Sequence, residues 1–352
     1  MRVGISMSGE GRGHVSRVIA LSYFLREEHE LFYWCPPSVE PVLRENFPDA
    51  EIRSIPYIHF VKENHQINYH KTVFSNLENI TSLPSVIKTM ETQLENLKID
   101  AVLCDFEPYL VYAANGLNIP VLLLNHQGVL FRAGLNDHNW DAVVARFISE
   151  RLMPRADRFL TCSFFHGDIG PIIRKTILDL EPKVGDYYIV YTKKTFKDSI
   201  TKALEKHKDK KFKFFPNKEE NFEEALAGAK GVIAPAGHQM ICEALHLDKP
   251  ILTFPEKGQY EQRLNAEYLE KSGRGMYGHM ETVQWDVDRF LNNIEQFPRE
   301  PLDNSIPFKF KNDTENAVAL VNKFLEDFSG HELPTFNPLD RWNFDKEFFL
   351  VS

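Results

Sequence analysis

Three glycine-marked turns carry the residues of this chain best suited to chemistry. The first is Gly9-Glu-Gly-Arg-Gly-His14. An imidazole gains and loses a proton near neutral pH, so His14 is a candidate general base. Gly9, Gly11 and Gly13, with Arg12 between them, allow a tight turn and let another group come close to the backbone. The plainer alternative for His14 is a helix N-cap that only bonds backbone. The pattern GxGxGH is not the GxGxxG of dinucleotide folds. The second strand also ends in Tyr33-Trp-Cys-Pro-Pro-Ser38 rather than in a ribose-binding acid, which disfavours a nicotinamide or flavin site.

The second turn is Pro235-Ala-Gly-His-Gln-Met-Ile-Cys-Glu243. Backbone amides at Gly237–Met240 open a helix and suit an anion such as a diphosphate. Glu243, one to two turns into that helix, is placed to accept both hydroxyls of a ribose. The alternative is a solvated glutamate on a helix face. The third turn, Pro255–Ala266, opens another helix with Glu261 and Gln262, which suit sugar hydroxyls.

Short apolar strands alternating with helices must position these turns. Arg2–Met7, Glu30–Cys35, Ala101–Cys104 and Pro120–Asn125 read as buried strands, with helices at Val15–Arg26 and Tyr109–Gly116. A second cycle of strands covers Asp186–Thr192, Lys211–Phe215, Gly231–Pro235 and Pro250–Phe254. Its helices are Lys197–His207, Asn221–Ala227, Gln239–Leu247 and Glu261–Ser272. The pattern is doubly wound α/β, with ligands expected beyond the carboxyl ends of the strands. A joint near His166–Pro171 divides the chain into 1–168 and 169–330. The stretch 56–98 reads as an insertion at the sheet edge. The aromatic tail 331–352 is expected to pack across the joint.

The 352 residues suit two domains, and 43% hydrophobic content excludes a disordered or fibrous chain. A net charge of −9 argues against a nucleic-acid partner. Four scattered cysteines without a CxxC point to a reducing cytosol rather than a disulfide framework or zinc knuckle. The apolar start is too short for a signal peptide, and no run suits a membrane span, which leaves peripheral membrane association open.

Ala236–Gly275 resembles the donor-binding segment of GT-B glycosyltransferases. The most similar kinds are the family of the lipid-linked N-acetylglucosaminyltransferase of peptidoglycan synthesis and the UDP-glucuronosyltransferases. Gly9–His14 resembles the GGxGGH loop of the first, with Glu10 and Arg12 in place of small residues. Cys104–Pro108 and Asn125-His-Gln127 resemble segments of a bacterial and archaeal branch. The resemblance implies a GT-B fold, two Rossmann-like domains facing a central cleft, with the acceptor in 1–168 and the donor in 169–330. It gives Gly237, His238 and Gln239 to the donor diphosphate, Glu243 to the ribose, and Glu261 and Gln262 to the donor sugar. His14 becomes the base near the acceptor, oriented by Asp105 or, second, by Glu107.

The implied activity is an inverting, metal-independent transfer from a nucleotide sugar, UDP-linked, to a hydroxyl on a lipid, glycan or small molecule. The nucleotide sugar is a co-substrate, and no cofactor is expected. Two other readings stay open. One is a UDP-N-acetylglucosamine 2-epimerase-like isomerase, although Arg12 and Arg17 do not supply its GxRP pattern. The other is a non-catalytic nucleotide-sugar binding protein. Asp286-Val-Asp288 reads as a helix start with first-turn acids rather than a metal-binding DxD. The nine lysines of Lys193–Lys213 alternate with acids and read as a solvated helix, with an anionic-lipid patch as the alternative. Asn64–His70 lacks a third ligand for zinc and reads as acceptor-cleft lining.

Overall fold

The computed structural model describes residues 1–56, 62–63, 66–67, 81–134, 136–192 and 194–328. His65, His70 and the tail 331–352 lie outside the described residues. The early strands are β1 (Arg2–Met7), β2 (Glu30–Cys35) and β3 (Glu51–Ser54), followed by a two-residue antiparallel pair, β4 (Lys62–Glu63) and β5 (Gln66–Ile67). β6 (Ala101–Asp105), β7 (Val121–Asn125) and β8 (Arg158–Thr161) complete a six-stranded sheet in the order β3-β2-β1-β6-β7-β8, with every paired strand parallel. The second sheet holds β9 (Tyr187–Tyr191), β10 (Lys211–Phe215), β11 (Gly231–Pro235), β12 (Ile251–Phe254) and β13 (Gly275–Tyr277). Its order is β10-β9-β11-β12-β13.

The central strands read as unbroken apolar runs because helices cover both of their faces. β6, β7 and β11 are buried along their whole length. In each sheet the strand order reverses once, between β1 and β6 and between β9 and β11. Such reversals separate the two following loops and leave a crevice at the carboxyl ends of the strands. The first two glycine turns leave from β1 and β11, one at each reversal.

One apolar core runs through the facing layers of both sheets, from Val102 and Leu123 to Val232 and Ile251. Phe164 and Phe165, in the linker after β8, are fully buried within it, and Phe165 stacks on Tyr268 with centroids 4.3 Å apart. Removing a ring at this joint costs about 3–5 kcal/mol. The halves are therefore welded at the base of the cleft, not merely tethered.

Several helices are absent from the sequence reading, among them Trp140–Leu152, and two of the others tie the fold together. Leu83–Leu97 packs Met90 and Leu94 into the shared core, where Gln93 accepts a hydrogen bond from Trp34 Nε1 at 2.8 Å. The last helix, Thr314–Phe328, buries Ala317, Val321, Phe324 and Leu325, a single stripe at helical spacing. That stripe packs with Val15, Val18 and β1, so the end of the stretch 169–330 returns to the first sheet. Asp286 and Asp288 point to separate partners. Asp286 accepts from Thr282 Oγ1 (2.7 Å) and His279 N (3.0 Å), whereas Asp288 faces His207 Nε2 at 2.7 Å.

Candidate functional site

Met7 and Asp105 are register partners at the ends of β1 and β6. The chain leaves β1 through a loop with Gly11 at φ 74° and enters the Gly13–Leu25 helix with no side-chain cap. A positive φ of this size favours glycine. His14, in the first turn, is thereby carried to the end of β6, with its Nδ1 2.7 Å from Asp105 Oδ1. Phe106, at φ 57°, turns the chain away after Asp105 and lays its ring against His14, 5.9 Å between centroids and 10° from parallel.

Burial alone would raise the Asp105 carboxyl, but the Arg17 guanidinium and His14 outweigh it and hold it below its ordinary value. Arg17 Nε donates to Oδ2 at 2.8 Å, and one terminal nitrogen donates to Oδ1 at 2.9 Å. Asp105 is therefore an ionised acceptor. Its 2.7 Å contact requires a proton on His14 Nδ1, leaving Nε2 as the lone pair. Glu107 is elsewhere engaged. It caps the Pro108–Gly116 helix by accepting from Tyr109 N (2.6 Å) and Leu110 N (3.0 Å), and burial pushes its carboxyl up to about 7. Asp105, not Glu107, is the carboxylate beside His14.

The second turn faces the first. Gly237 caps the His238–His246 helix without a side-chain bond to the first-turn amides, and a Cβ placed on it meets nothing within 4 Å. A Cβ on Gly13 would lie 3.6 Å from Gln239 Cβ, so the two helix starts approach closely. The His238 side chain keeps one buried ring nitrogen, Nδ1, without a hydrogen-bond partner among the described residues. Its ring stacks on His126 (centroids 3.6 Å, 15°) and lies 6.0 Å from Phe164, with Nε2 3.2 Å from Cys242 Sγ. Burial, helped by His126, Arg17 and His14, pushes it well below the ordinary imidazole value, so the ring is neutral. This turn offers an anion backbone amides but no imidazolium.

Glu243 is 2% exposed and already well partnered. Arg174 grips it through Nε (2.9 Å) and a terminal nitrogen (3.1 Å), and Gln239 Nε2 donates to Oε1 at 3.1 Å. Three of a carboxylate's roughly four acceptor positions are filled. Room is left for one hydroxyl, not the two expected of a ribose site. Gln262 also departs from expectation. Its Oε1 accepts from Glu256 N at 2.9 Å and its Nε2 donates to Gln259 at 3.2 Å, so it ties down the loop before its helix. Glu261 does reach the cleft, where Gln127 Nε2 donates to its Oε2 at 3.0 Å.

Four further residues complete the site: Arg17, His126, Gln127 and Asn265. His126 spans from the Cys162 carbonyl (3.1 Å) to Asn265 Oδ1 (2.8 Å), bridging the two sheets. Burial lowers its affinity for a proton in spite of Glu261 nearby. The sequence signals were spacings: Arg17 lies one helical turn after His14, and Asn265 one turn after Glu261. The Asn125-His-Gln127 segment stood out without an assigned role.

Residues 1–295 match the glycosyl transferase family 1. An uncharacterized glycosyltransferase of Methanosarcina acetivorans is 26% identical over 329 residues, covering 78% of this chain and 83% of the relative. Among solved structures, Acinetobacter baumannii MurG superposes with a TM-score of 0.60 at 17% identity, over 92% of this chain and 99% of MurG. A Medicago truncatula structure complexed with UDP-glucose gives 0.56 at 13% identity, over 94% and 98%. A UDP-glucosyltransferase from Polygonum tinctorium gives 0.59 at 14% identity, over 92% and 98%. No helix among the described residues is long and apolar enough to cross a membrane. The chain belongs to glycosyl transferase family 1 and is a glycosyltransferase of the GT-B fold.

Proposed function

We propose that this glycosyltransferase moves a sugar from a UDP-linked donor to an acceptor hydroxyl, inverting the anomeric carbon without a metal. The observation that carries the reading is the buried His14–Asp105 pair at the first strand reversal, opposite the uncapped start of the His238–His246 helix. In this reading 1–168 holds the acceptor and 169–330 the donor. UDP is favoured because similar structures carry UDP-glucose or act as UDP-glucosyltransferases. Four free, buried cysteines fit a reducing, cytoplasmic setting.

The acceptor O–H gives its proton to His14 Nε2 as its oxygen attacks the anomeric carbon. The bond from that carbon to the diphosphate oxygen breaks on the opposite face, and the electron pair leaves with the nucleoside diphosphate. First-turn amides at His238–Met240 offset the charge gained there, the Gly237 amide being held by the Pro235 carbonyl at 2.8 Å. Glu261, at the seam of the two halves, suits a hydroxyl of the moving sugar. The acceptor is a hydroxyl of a lipid, glycan or small molecule.

The test is a thermal-shift panel of nucleotides, followed by turnover of wild type and His14→Ala. A stabilisation by UDP above other nucleotides, with turnover lost and UDP binding kept in His14→Ala, is the expected outcome. No stabilisation by any nucleotide, or full turnover without His14, overturns the reading.

A further inference from the structure

Arg17 is 2% exposed and sits at the centre of the cleft's ionisable groups. It grips both oxygens of Asp105, and one of its terminal nitrogens lies 3.0 Å from His14 Nδ1. The first helix therefore presents a base at position 14 and a cation at position 17 to the same carboxylate. We propose that Arg17 is a positioning residue of the transfer reaction, setting the tautomer and charge of the His14 base through Asp105. The inference rests on the reading of His14 as that base.

In a bare histidine–carboxylate pair, the negative charge orients the imidazole and also stabilises its protonated form. Here the carboxylate's charge is already matched by the guanidinium. Arg17, Asp105 and a neutral imidazole sum to zero in a buried site. A proton added to His14 makes the unit cationic, with the new charge beside Arg17. The fork keeps the orienting half of the carboxylate's action and cancels most of the other half.

The remaining groups do not replace this effect. From the facing helix, His238 presents a neutral ring to His14. Glu261, on the next helix, acts on Arg17, and the buried Cys162 thiol behind it is pushed up to about 12 and stays uncharged. Asp105 is thus the only anion bonded to His14 among the described residues, and Arg17 holds both of its oxygens. Asp105 and Arg17 thus act on the imidazole in opposite senses, one bonded to it and the other to its partner.

The test compares the pH profile of kcat/KM in wild type, Arg17→Gln and Arg17→Lys, with His14→Ala as control. Removing the cation in Arg17→Gln is expected to move the acid limb up by about one pH unit or more. Arg17→Lys, which keeps the charge without the fork, is expected to lower the plateau and leave the limb near wild type. A limb in the same place in both variants, with activity reduced equally at every pH, makes Arg17 a structural prop and overturns the inference. Histidine 15N NMR of wild type needs no variant to fold: it is expected to show His14 protonated on Nδ1. The Nε2-protonated tautomer overturns the inference as well. Full turnover in His14→Ala removes the base reading itself, whereas an inactive His14→Ala with an unmoved Arg17→Gln limb removes only the role of Arg17.

Discussion

His14 Nδ1 and Asp105 Oδ1 lie 2.7 Å apart although 91 residues separate them in the chain. Their meeting is a product of topology, because β1 and β6 are neighbours only where the strand order reverses. Asp105→Asn keeps the shape but removes the ionised acceptor that fixes the imidazole. Turnover is expected to fall about 10²–10⁴-fold with UDP affinity nearly unchanged. The same change leaves the Arg17 guanidinium buried without its anion, at a cost of about 3–5 kcal/mol. Steady-state kinetics, calorimetric UDP titration and denaturant unfolding separate the two effects. Unchanged turnover removes Asp105 from the mechanism.

Glu107 gives the fold a pH dependence of its own. Burial pushes its carboxyl up to about 7, above the ordinary glutamate value near 4.5. The folded state therefore holds this proton more tightly than the unfolded chain does. Its contribution to stability is complete below about pH 4.5 and is lost as pH rises through 7, a change of about 3 kcal/mol. Glu107→Gln can still cap the Pro108–Gly116 helix but does not titrate. Urea unfolding at pH 5 and pH 8 is expected to show a smaller difference for the variant than for wild type. An equal difference in both proteins contradicts the assignment.

Gly237 separates a ligand effect from a folding effect. Its φ is −73°, a conformation open to alanine, and an added Cβ meets open space. Gly237→Ala should therefore fold about as well as wild type, the entropy gain of about 0.4–1 kcal/mol offsetting the poorer N-cap that alanine makes. If the donor diphosphate lies against these amides, the methyl occupies its place and the donor KM rises about tenfold or more. Lost stability contradicts the geometry, and an unchanged KM moves the diphosphate elsewhere.

The fold was legible because its central strands are short apolar runs between turn residues. β2, β10 and β11 have the ends that their composition implies. The first pairing of the site came from the family resemblance, which offered Asp105 or Glu107 as the partner of His14, and the strand reaches one residue further than its apolar run, to Asp105. The rest depends on tertiary partners that no local pattern encodes. Glu243 looked like a free helix-face acid until Arg174, 69 residues earlier, was seen to grip it. The ring stacking of His238 on His126 joins the two halves, and no local pattern around either residue encodes it. The last helix carries an ordinary amphipathic stripe, and nothing in that stripe names the sheet it covers.

Arg174 and Glu243 make the most specific claim about the donor. Arg174 also donates to Glu223 at 2.7 Å, so its guanidinium is fixed between two carboxylates. With Gln239 on Oε1, the one open acceptor position of Glu243 is on Oε2. A single hydroxyl can bond there while Arg174 stays in place. UDP analogues lacking either the 2′- or the 3′-hydroxyl should then behave unequally. One deletion is expected to cost about tenfold in affinity, the size of a single hydrogen bond to a charged group, and the other very little. Arg174→Met leaves the buried Glu243 uncompensated and should both destabilise the fold and erase that inequality. Arg174→Lys should restore part of the stability but not the selectivity, because an ammonium cannot reproduce the two-pronged grip. Equal losses for the two analogues mean that Arg174 withdraws when nucleotide binds, and no loss for either removes Glu243 from the ribose.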